Sequence, residues 1–307
     1  MSITETEAYP VPAIQREPAN QESIREVLYS VLNDLKSWPK HVWVAVTLVI
    51  LFYIPNFMES VPYQWANEMY SFGLLIVPLV IGLLILMRNE LRGLPLEPDK
   101  LGVWVILFGV FVEEIGWYLH IRFLAMGSLV PVVAGCILLL AGRKVLKTIW
   151  FPVAFLIFAS PFPEPLLNPI DLHAQTLSTI GAQWMGTFVG LPIVREGNVL
   201  QVPGMSLDVA EACSGFQKLT AFFCFAILYG WLYALPGRKW LLLILMSAPI
   251  AMIANVIRIT ALAILAANYG KGTEAVAHEY ADYFVIILSG SLFIWLGRYI
   301  GCETTRF

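Results

Sequence analysis

Apolar residues follow one another in long, nearly unbroken segments from position 41 to the end of the chain. A helix that crosses a bilayer needs about 17 to 25 consecutive apolar residues, and most of the segments reach that length. The fifth is shorter, so the boundaries of the fourth and fifth stay open. The pattern predicts an all-α polytopic membrane protein with about eight transmembrane helices. The segments are 41–58, 71–87, 101–120, 123–141, 148–160, 216–235, 240–268 and 283–301.

One long polar interruption, residues 161–210, separates the fifth apolar segment from the sixth. Three prolines within 161–165 end the fifth segment, because proline removes a backbone donor and clashes inside a helix. Residues 172–189 are mostly apolar and predict a helix along the outer membrane face. Two short strands within 193–202, joined by a Glu-Gly-Asn turn, and a third extended stretch at 205–209 should follow. We therefore expect a small strand-and-turn segment on the outer face.

The N-terminal part of the chain has a different pattern. Residues 1–18 carry several Pro and Glu without apolar periodicity, which predicts a disordered tail. Over residues 21–38 apolar positions recur at spacings of three and four, as on one face of an amphipathic helix. A helix on the membrane surface is favoured over a short soluble helix, because it runs directly into the first span. This gives a cytoplasmic tail with an amphipathic helix at 1–39 and a multi-pass catalytic domain at 40–307. The apolar positions are Ile24, Val27, Leu28, Val31, Leu32 and Leu35.

Composition supports the membrane interpretation and narrows the partners. The 307 residues are 58% hydrophobic and 13% charged, whereas a soluble domain carries about 25% charged residues. A formal net charge of -3 without any basic cluster argues against a nucleic-acid partner. The four cysteines have no zinc-like spacing, so neither a metal nor a cofactor is implied. The lipid bilayer is the partner that the composition does indicate.

The basic residues alternate between successive loops, and this predicts the orientation. Cytoplasmic loops carry an excess of Lys and Arg. By this rule both termini are cytoplasmic, and the loops at 59–70, 161–214 and 269–282 lie outside. The outer loops contain only Arg122, Arg195 and Lys271. The basic residues assigned to the inner side are Lys36, Lys40, Arg88, Arg92, Lys100, Arg143, Lys144, Lys147, Arg238, Lys239, Arg298 and Arg306.

The candidate chemistry centres on the pentapeptide Glu211-Ala212-Cys213-Ser214-Gly215, where the polar segment meets the sixth span. The first amides of a helix point outward with partial positive charge. That field favours the thiolate, the reactive form of cysteine. Small neighbouring residues would also let a substrate backbone approach. The competing interpretation is a small buried residue in a helix neck, which is what most cysteines are.

Two further residues are expected at the same outer side as Cys213. Arg258 lies 18 residues into the seventh span, about 27 Å from its inner end. A charged residue in a span is rarely idle, although a structural pairing with an intramembrane acid is the alternative. Asn255 lies one turn earlier on the same face and could hold the guanidinium. His278 falls in the outer loop or first turn before the last span, and Asp282, four residues later, could orient its ring if the segment is helical.

Other charged residues leave alternatives open. Glu113 and Glu114 lie well inside the third span, and an internal ion pair with Arg122 is the preferred explanation. Lys218 could meet lipid headgroups, meet a substrate carboxylate or lower the pKa of the thiol. With Arg258, these residues define a rival hypothesis, a transporter or flippase with a polar cavity. That hypothesis requires internal repeats and midplane coupling sites, and no repeat is visible.

Taken together, Glu-Ala-Cys-Ser-Gly at 211–215, Asn255-x-x-Arg258 and a histidine before the last span resemble the exosortase/archaeosortase family. The resemblance extends roughly from residue 151 to the C-terminus, and the earlier spans share with the family only their character as transmembrane helices. It implies a sortase-like cysteine transpeptidase of the inner membrane. The proposed catalytic residues of the family match Cys213, Arg258 and His278, and Glu211, Asn255, Asp282, Ser214 and Gly215 are supporting residues.

The resemblance also implies a substrate and a partner. Family members recognise the C-terminal tail of exported proteins, which consists of a short motif, often Pro-Glu-Pro, one transmembrane helix and a basic cluster. The expected chemistry is cleavage through a thioester, followed by transfer to an amine acceptor or to water. A surface polysaccharide and a lipid are the candidate acceptors. The residues do not separate transfer from hydrolysis.

Overall fold

The computed structural model describes residues 24–67, 70–203, 205–208, 216–269, 274–301 and 306. The chain divides into two units, Met1–Val44 and Ala45–Phe307. In the first unit, helix α1 occupies Ile24–Ser37, as the amphipathic pattern predicts. The tail predicted at 1–18 lies outside the described residues.

The helices follow the apolar segments closely. The all-α polytopic fold is confirmed, because each predicted segment corresponds to one or two apolar helices. From residue 40 to 148 the helices are α2 (Lys40–Ala66), α3 (Gly73–Leu86), α4 (Arg88–Leu91), α5 (Leu101–Tyr118), α6 (Arg122–Gly127), α7 (Leu129–Leu140) and α8 (Arg143–Thr148). From residue 150 to 300 they are α9 (Trp150–Phe155), a 3-10 helix (Leu156–Ala159), α10 (Glu164–Phe188), α11 (Phe216–Leu232), α12 (Gly237–Tyr269) and α13 (Glu274–Ile300).

Length separates these helices into two groups. Within the described residues, five stretches are long and apolar enough to cross a membrane: Lys40–Ala66, Leu101–Tyr118, Arg122–Leu140, Gly237–Asn268 and Tyr283–Ile300. Three are shorter apolar helices: Gly73–Leu86, Trp150–Ala159 and Leu219–Leu232. Within the described residues the second and, as expected, the fifth predicted spans therefore fall short of the usual crossing length, and α11, with 17 residues, lies at its lower limit.

Two helices extend into segments that the sequence assigns to outer loops. Helix α2 continues to Ala66 with Pro55 and Pro62 inside it, so most of the loop predicted at 59–70 is helical. Helix α13 begins at Glu274, so most of the loop predicted at 269–282 is helical too. Both predictions failed because apolar content was used to end the spans, whereas a helix can continue through polar residues once it leaves the apolar layer.

The polar interruption contains the predicted helix and sheet. Helix α10 begins at Glu164 instead of 172, with a proline at its first turn, where the missing N–H costs nothing. Three antiparallel strands follow in the order β1-β2-β3, at Val194–Glu196, Val199–Val202 and Met205–Asp208. Gly197, with φ +65°, makes the turn between β1 and β2. The strand predictions are confirmed.

Helix packing around α12 positions the candidate site. Ala182 of α10, the buried strand residues Leu200 and Val202, and Ile259 and Ala263 of α12 form one apolar cluster. A second cluster joins α11, α12 and α13. Helix α12 therefore contacts α10, the sheet, α11 and α13.

Ion pairs connect loops at the ends of the bundle. Glu97 and Lys144 are 2.6 Å apart, and Arg143 pairs with Asp99. The backbone N–H of Leu101 and the Arg143 guanidinium hold the pKa of Asp99 below its usual value. Two loops assigned to the inner side by their basic residues are thus in direct contact.

Candidate functional site

Arg258 and Asn255 lie together in the interior, as their spacing on α12 predicts. Both have 0% exposure, and Arg258 is the largest fully buried side chain within the described residues. The Asn255 amide donates to the Ser178 hydroxyl of α10 at 3.0 Å. A buried guanidinium is costly unless polar groups surround it. The face of α12 that carries these residues is therefore a polar patch inside an apolar bundle.

Helix α11 begins close to the level of Arg258. The short connection 233–236 makes α11 and α12 antiparallel neighbours, and the Trp240 indole lies against Gly230. Both helices advance about 1.5 Å per residue, so counting back from that contact sets Phe216 level with Ala254. That is one turn before Arg258. Cys213, with Glu211, Ser214 and Gly215, lies outside the described residues.

The C-terminal helix carries the candidate histidine at a similar level. His278 lies in the second turn of α13, in the segment that precedes the apolar stretch Tyr283–Ile300, and this segment is helical rather than a loop. Lys239, near the start of α12, donates to the Ile300 carbonyl at 2.6 Å. Helices α12 and α13 both advance about 1.5 Å per residue. Counting along them from that contact places Arg258 at about the level of residue 281, between His278 and Asp282. The helical backbone gives those two residues the i, i+4 spacing that the prediction required, and their side chains lie outside the described set.

The sequence reading missed the polar face of α10. Asp171, Gln175, Ser178 and Thr179 are buried, whereas apolar side chains of the same helix, such as Trp184, are exposed. The signal was present in the sequence, because 171, 175 and 178 recur at helical spacing. The sequence prediction begins this helix at 172 and gives its scattered polar residues no role, whereas the structure places them on the inward face.

Glu113 is buried but does not form the predicted ion pair. It accepts a hydrogen bond from the Asn56 amide of α2 at 2.9 Å. Arg122 pairs instead with Glu59 at 3.0 Å and covers the Tyr63 ring. Glu113 lies five residues, about 7 Å, before the end of α5, and Arg122 begins α6 beyond the corner, where it pairs with Glu59 near the end of α2 instead.

The shared polar cavity required by the transporter hypothesis gains no support from these contacts. Glu113 is bonded to α2, and Glu114 is exposed. The Lys218 side chain lies outside the described residues. Across the described part of the chain, no three His, Cys, Asp or Glu side chains are grouped to hold a metal ion.

Comparison with known proteins gives one result. A family model described as transmembrane exosortase matches residues 65–295, which is more than half of the chain. The match includes the pentapeptide at 211–215, all of α12 and His278. Searches of curated proteins and of solved structures found no significant match.

Proposed function

The chain belongs to the transmembrane exosortase family, and we propose that it is a cysteine transpeptidase that cleaves C-terminal sorting tails of exported proteins. Membership implies in general a membrane peptidase or transpeptidase that processes exported proteins. The finer proposal assigns the nucleophile to Cys213, the general base and acid to His278, and charge stabilisation to Arg258.

The reaction has two halves. His278 takes the proton of the Cys213 thiol, and the thiolate attacks the carbonyl carbon of the scissile peptide bond. The tetrahedral intermediate collapses, the C–N bond breaks, and the leaving amine takes the proton from His278. An acceptor amine, or water, then attacks the thioester and gives a proton to His278. The C–S bond breaks, and the returning proton restores the thiol.

One observation carries the proposal: the full burial of Arg258 on α12. A fixed positive charge stabilises a developing oxyanion much more strongly where water is excluded. The start of α11 and the stretch of α13 between His278 and Asp282 fall near the same level, which supports the joint action of the three residues. Asn255, held by Ser178, keeps the polar face of α12 in place.

The remaining residues and the setting complete the proposal. Asp282 orients His278, Glu211 supports the nucleophile, and Ser214 and Gly215 leave room for the substrate backbone. Residues 1–39 form a cytoplasmic tail with an amphipathic helix, and 40–307 form the catalytic domain. The protein lies in the inner membrane with both termini in the cytoplasm and the active site outside. The acceptor is an amine, on a surface polysaccharide or a lipid.

The test is mass spectrometry of the purified protein incubated with a tail-bearing substrate and little acceptor. We expect an acyl adduct on Cys213. Cys213→Ala should abolish processing, and Cys213→Ser should nearly do so, since a hydroxyl is far less acidic than a thiol. Arg258→Lys should also fail, because a point charge does not replace a planar fork. His278→Ala should be deficient in attack or in transfer.

Two matched controls separate the nucleophile from other thiols. Cys224 is buried and Cys136 is partly buried, so Cys224→Ala and Cys136→Ala should retain the adduct. Complete processing by Cys213→Ala, with no adduct on the wild type, would refute the cysteine mechanism.

A further inference from the structure

The small sheet has two edges, and the edge formed by β3 borders the proposed reaction centre. Strand β1 contacts α10, β2 contacts both α10 and α12, and β3 contacts α12, so the order of strands leads from α10 across to α12. Leu207 of β3 packs on the cluster that contains Ile259, the residue after Arg258. Cys213 follows Asp208, the last residue of β3, by five positions, a reach of at most about 18 Å. The edge of β3 that faces away from β2 therefore lies within a short distance of both proposed catalytic residues.

The register of the hairpin shows which backbone groups this edge presents. Strand β2 ends at Val202 and β3 begins at Met205, so two residues connect them. The residues that flank a two-residue hairpin loop exchange backbone hydrogen bonds, and bonded and non-bonded pairs then alternate. Met205 and Leu207 are therefore bonded to β2, whereas Ser206 and Asp208 form non-bonded pairs with it. The N–H and C=O groups of Ser206 and Asp208 point away from the sheet.

The two edges of the sheet differ in how well they are protected. On β1 the corresponding outward position is Arg195, opposite Leu200, and this strand carries two charged residues and lies against α10. Charged side chains and a covering helix are the usual means of preventing edge pairing. Ser206 is exposed, and in the described part of the chain no strand or loop pairs with the β3 edge. An edge of this kind accepts an extended peptide as an additional strand.

The position of the sheet along α12 indicates which part of the substrate reaches this edge. The sheet packs on Ile259 and Ala263, which lie at and beyond Arg258 towards the proposed outer end of α12. In a sorting-tail substrate, the residues before the scissile bond lie on the exported side, whereas the transmembrane helix lies after it. The segment before the scissile bond is therefore the one that lies level with β3.

We propose that the substrate residues immediately before the scissile bond add to the sheet as a fourth strand, paired with the backbone of Ser206 and Asp208. The inference rests on the proposed function and deepens it. Main-chain hydrogen bonds would hold the scissile bond in register with Cys213, and alternate side chains of the bound segment would face the protein. Part of the substrate specificity then comes from an extended conformation rather than from a charged pocket.

The first experiment removes one outward N–H from each edge of the sheet. Proline has no N–H and is tolerated on an edge strand, so Ser206→Pro leaves the bonds between β2 and β3 intact. With the tail-bearing substrate, Ser206→Pro should raise the KM for formation of the Cys213 adduct about 2- to 10-fold, as expected for the loss of one hydrogen bond, with kcat near wild type. Ser206→Ala keeps the N–H and should behave as wild type. Arg195→Pro makes the same change on β1 and is the matched control, so its KM should not change.

The second experiment leaves the enzyme unaltered and changes the substrate. Synthetic versions of the same tail-bearing substrate each carry one N-methylated peptide bond at successive positions before the scissile bond. Neighbouring residues of a strand direct their N–H groups to opposite sides, so only every second N–H faces β3. The KM of the wild-type enzyme should rise at alternate positions. This measurement applies even if Ser206→Pro does not fold or insert.

The outcomes separate this inference from the proposed function. An N-methyl series without alternation, an unchanged KM for Ser206→Pro, or an equal rise for Arg195→Pro would overturn the pairing with β3, while the adduct still supports the cysteine mechanism. Absence of any adduct in wild type would overturn the proposed function and this inference with it.

Discussion

At the scale of single residues, the interior of the bundle is more polar than the composition suggests. Arg258, Asn255, Asp171 and Glu113 are all at most 5% exposed. The protein places these groups on inward faces, because a lipid-facing position would cost several kcal/mol per charged residue. The sequence alone indicates that Arg258, Asn255 and Glu113 are unusual. A charged or amide side chain within an apolar segment is visible without knowledge of its contacts.

The residue-scale prediction concerns Asp282. If its carboxylate orients the His278 ring, Asp282→Asn should lower turnover, by up to about 10⁴-fold in the most severe comparable case. The protein should remain folded and inserted. Turnover of purified Asp282→Asn and of the exposed-site control Glu196→Gln should be compared with wild type at equal enzyme concentration. An unchanged rate would mean that His278 acts without this partner or is not the base.

At the scale of elements, the apolar segments predicted where helices lie better than where they end. Boundaries failed at α2, α10 and α13, where the helix extends beyond the predicted apolar segment. Contacts between elements could not be derived either. The Glu113–Arg122 pairing was expected from proximity in sequence, whereas Glu113 is satisfied by Asn56 on α2. Such pairings depend on how the helices pack in three dimensions, and closeness along the sequence does not reveal this.

Cys213 and the side chain of His278 fall outside the described residues, so the meeting of Cys213, Arg258 and His278 in one site stays a prediction.

Helices α5 and α7 pack through glycine, which gives a second prediction. A Cβ at Gly102 would lie 2.5 Å from the Gly135 carbonyl oxygen, whereas one at Gly82 of α3 would meet nothing within 4 Å. Gly102→Ala should therefore destabilise the protein by about 1–3 kcal/mol, because backbone atoms must move apart. Gly82→Ala should be neutral or slightly stabilising, since alanine favours helix.

Thermal unfolding of the two alanine variants in the same detergent measures the difference. Equal midpoints for Gly102→Ala and Gly82→Ala would contradict the close approach of α5 and α7.

At the scale of the whole molecule, loops at each end of the bundle are joined by polar contacts. Glu97 and Lys144 connect two loops of the proposed inner side, and Glu59 and Arg122 connect two segments of the proposed outer side. The contacts agree with a chain that crosses back and forth between the two sides. The assignment of one side to the cytoplasm depends on the distribution of Lys and Arg.

The corresponding prediction is tested by labelling single cysteines in intact cells. In a background without the native cysteines, Lys271→Cys should react with a membrane-impermeant thiol reagent, because it lies in the proposed outer connection between α12 and α13. Gly237→Cys should stay protected until the cells are opened. It is a tolerant site, since a Cβ there meets nothing within 4 Å. The reverse pattern would remove Arg258 and His278 from the outer side.

Helix α2 is attached to the bundle in an unusual way, and this matters for handling the protein. Tyr53, Asn56, Ser60 and Gln64 are its buried residues, and all four are polar, while its exposed residues include many large apolar ones. Hydrogen bonds to Ser128, Glu113 and the Ala159 carbonyl connect it to its neighbours. In hydrocarbon such bonds have no competitor. During extraction, a detergent that admits water beside α2 would solvate both partners of each hydrogen bond. A large micelle that excludes water should therefore keep α2 attached to the bundle, whereas a small micelle that admits water should release it.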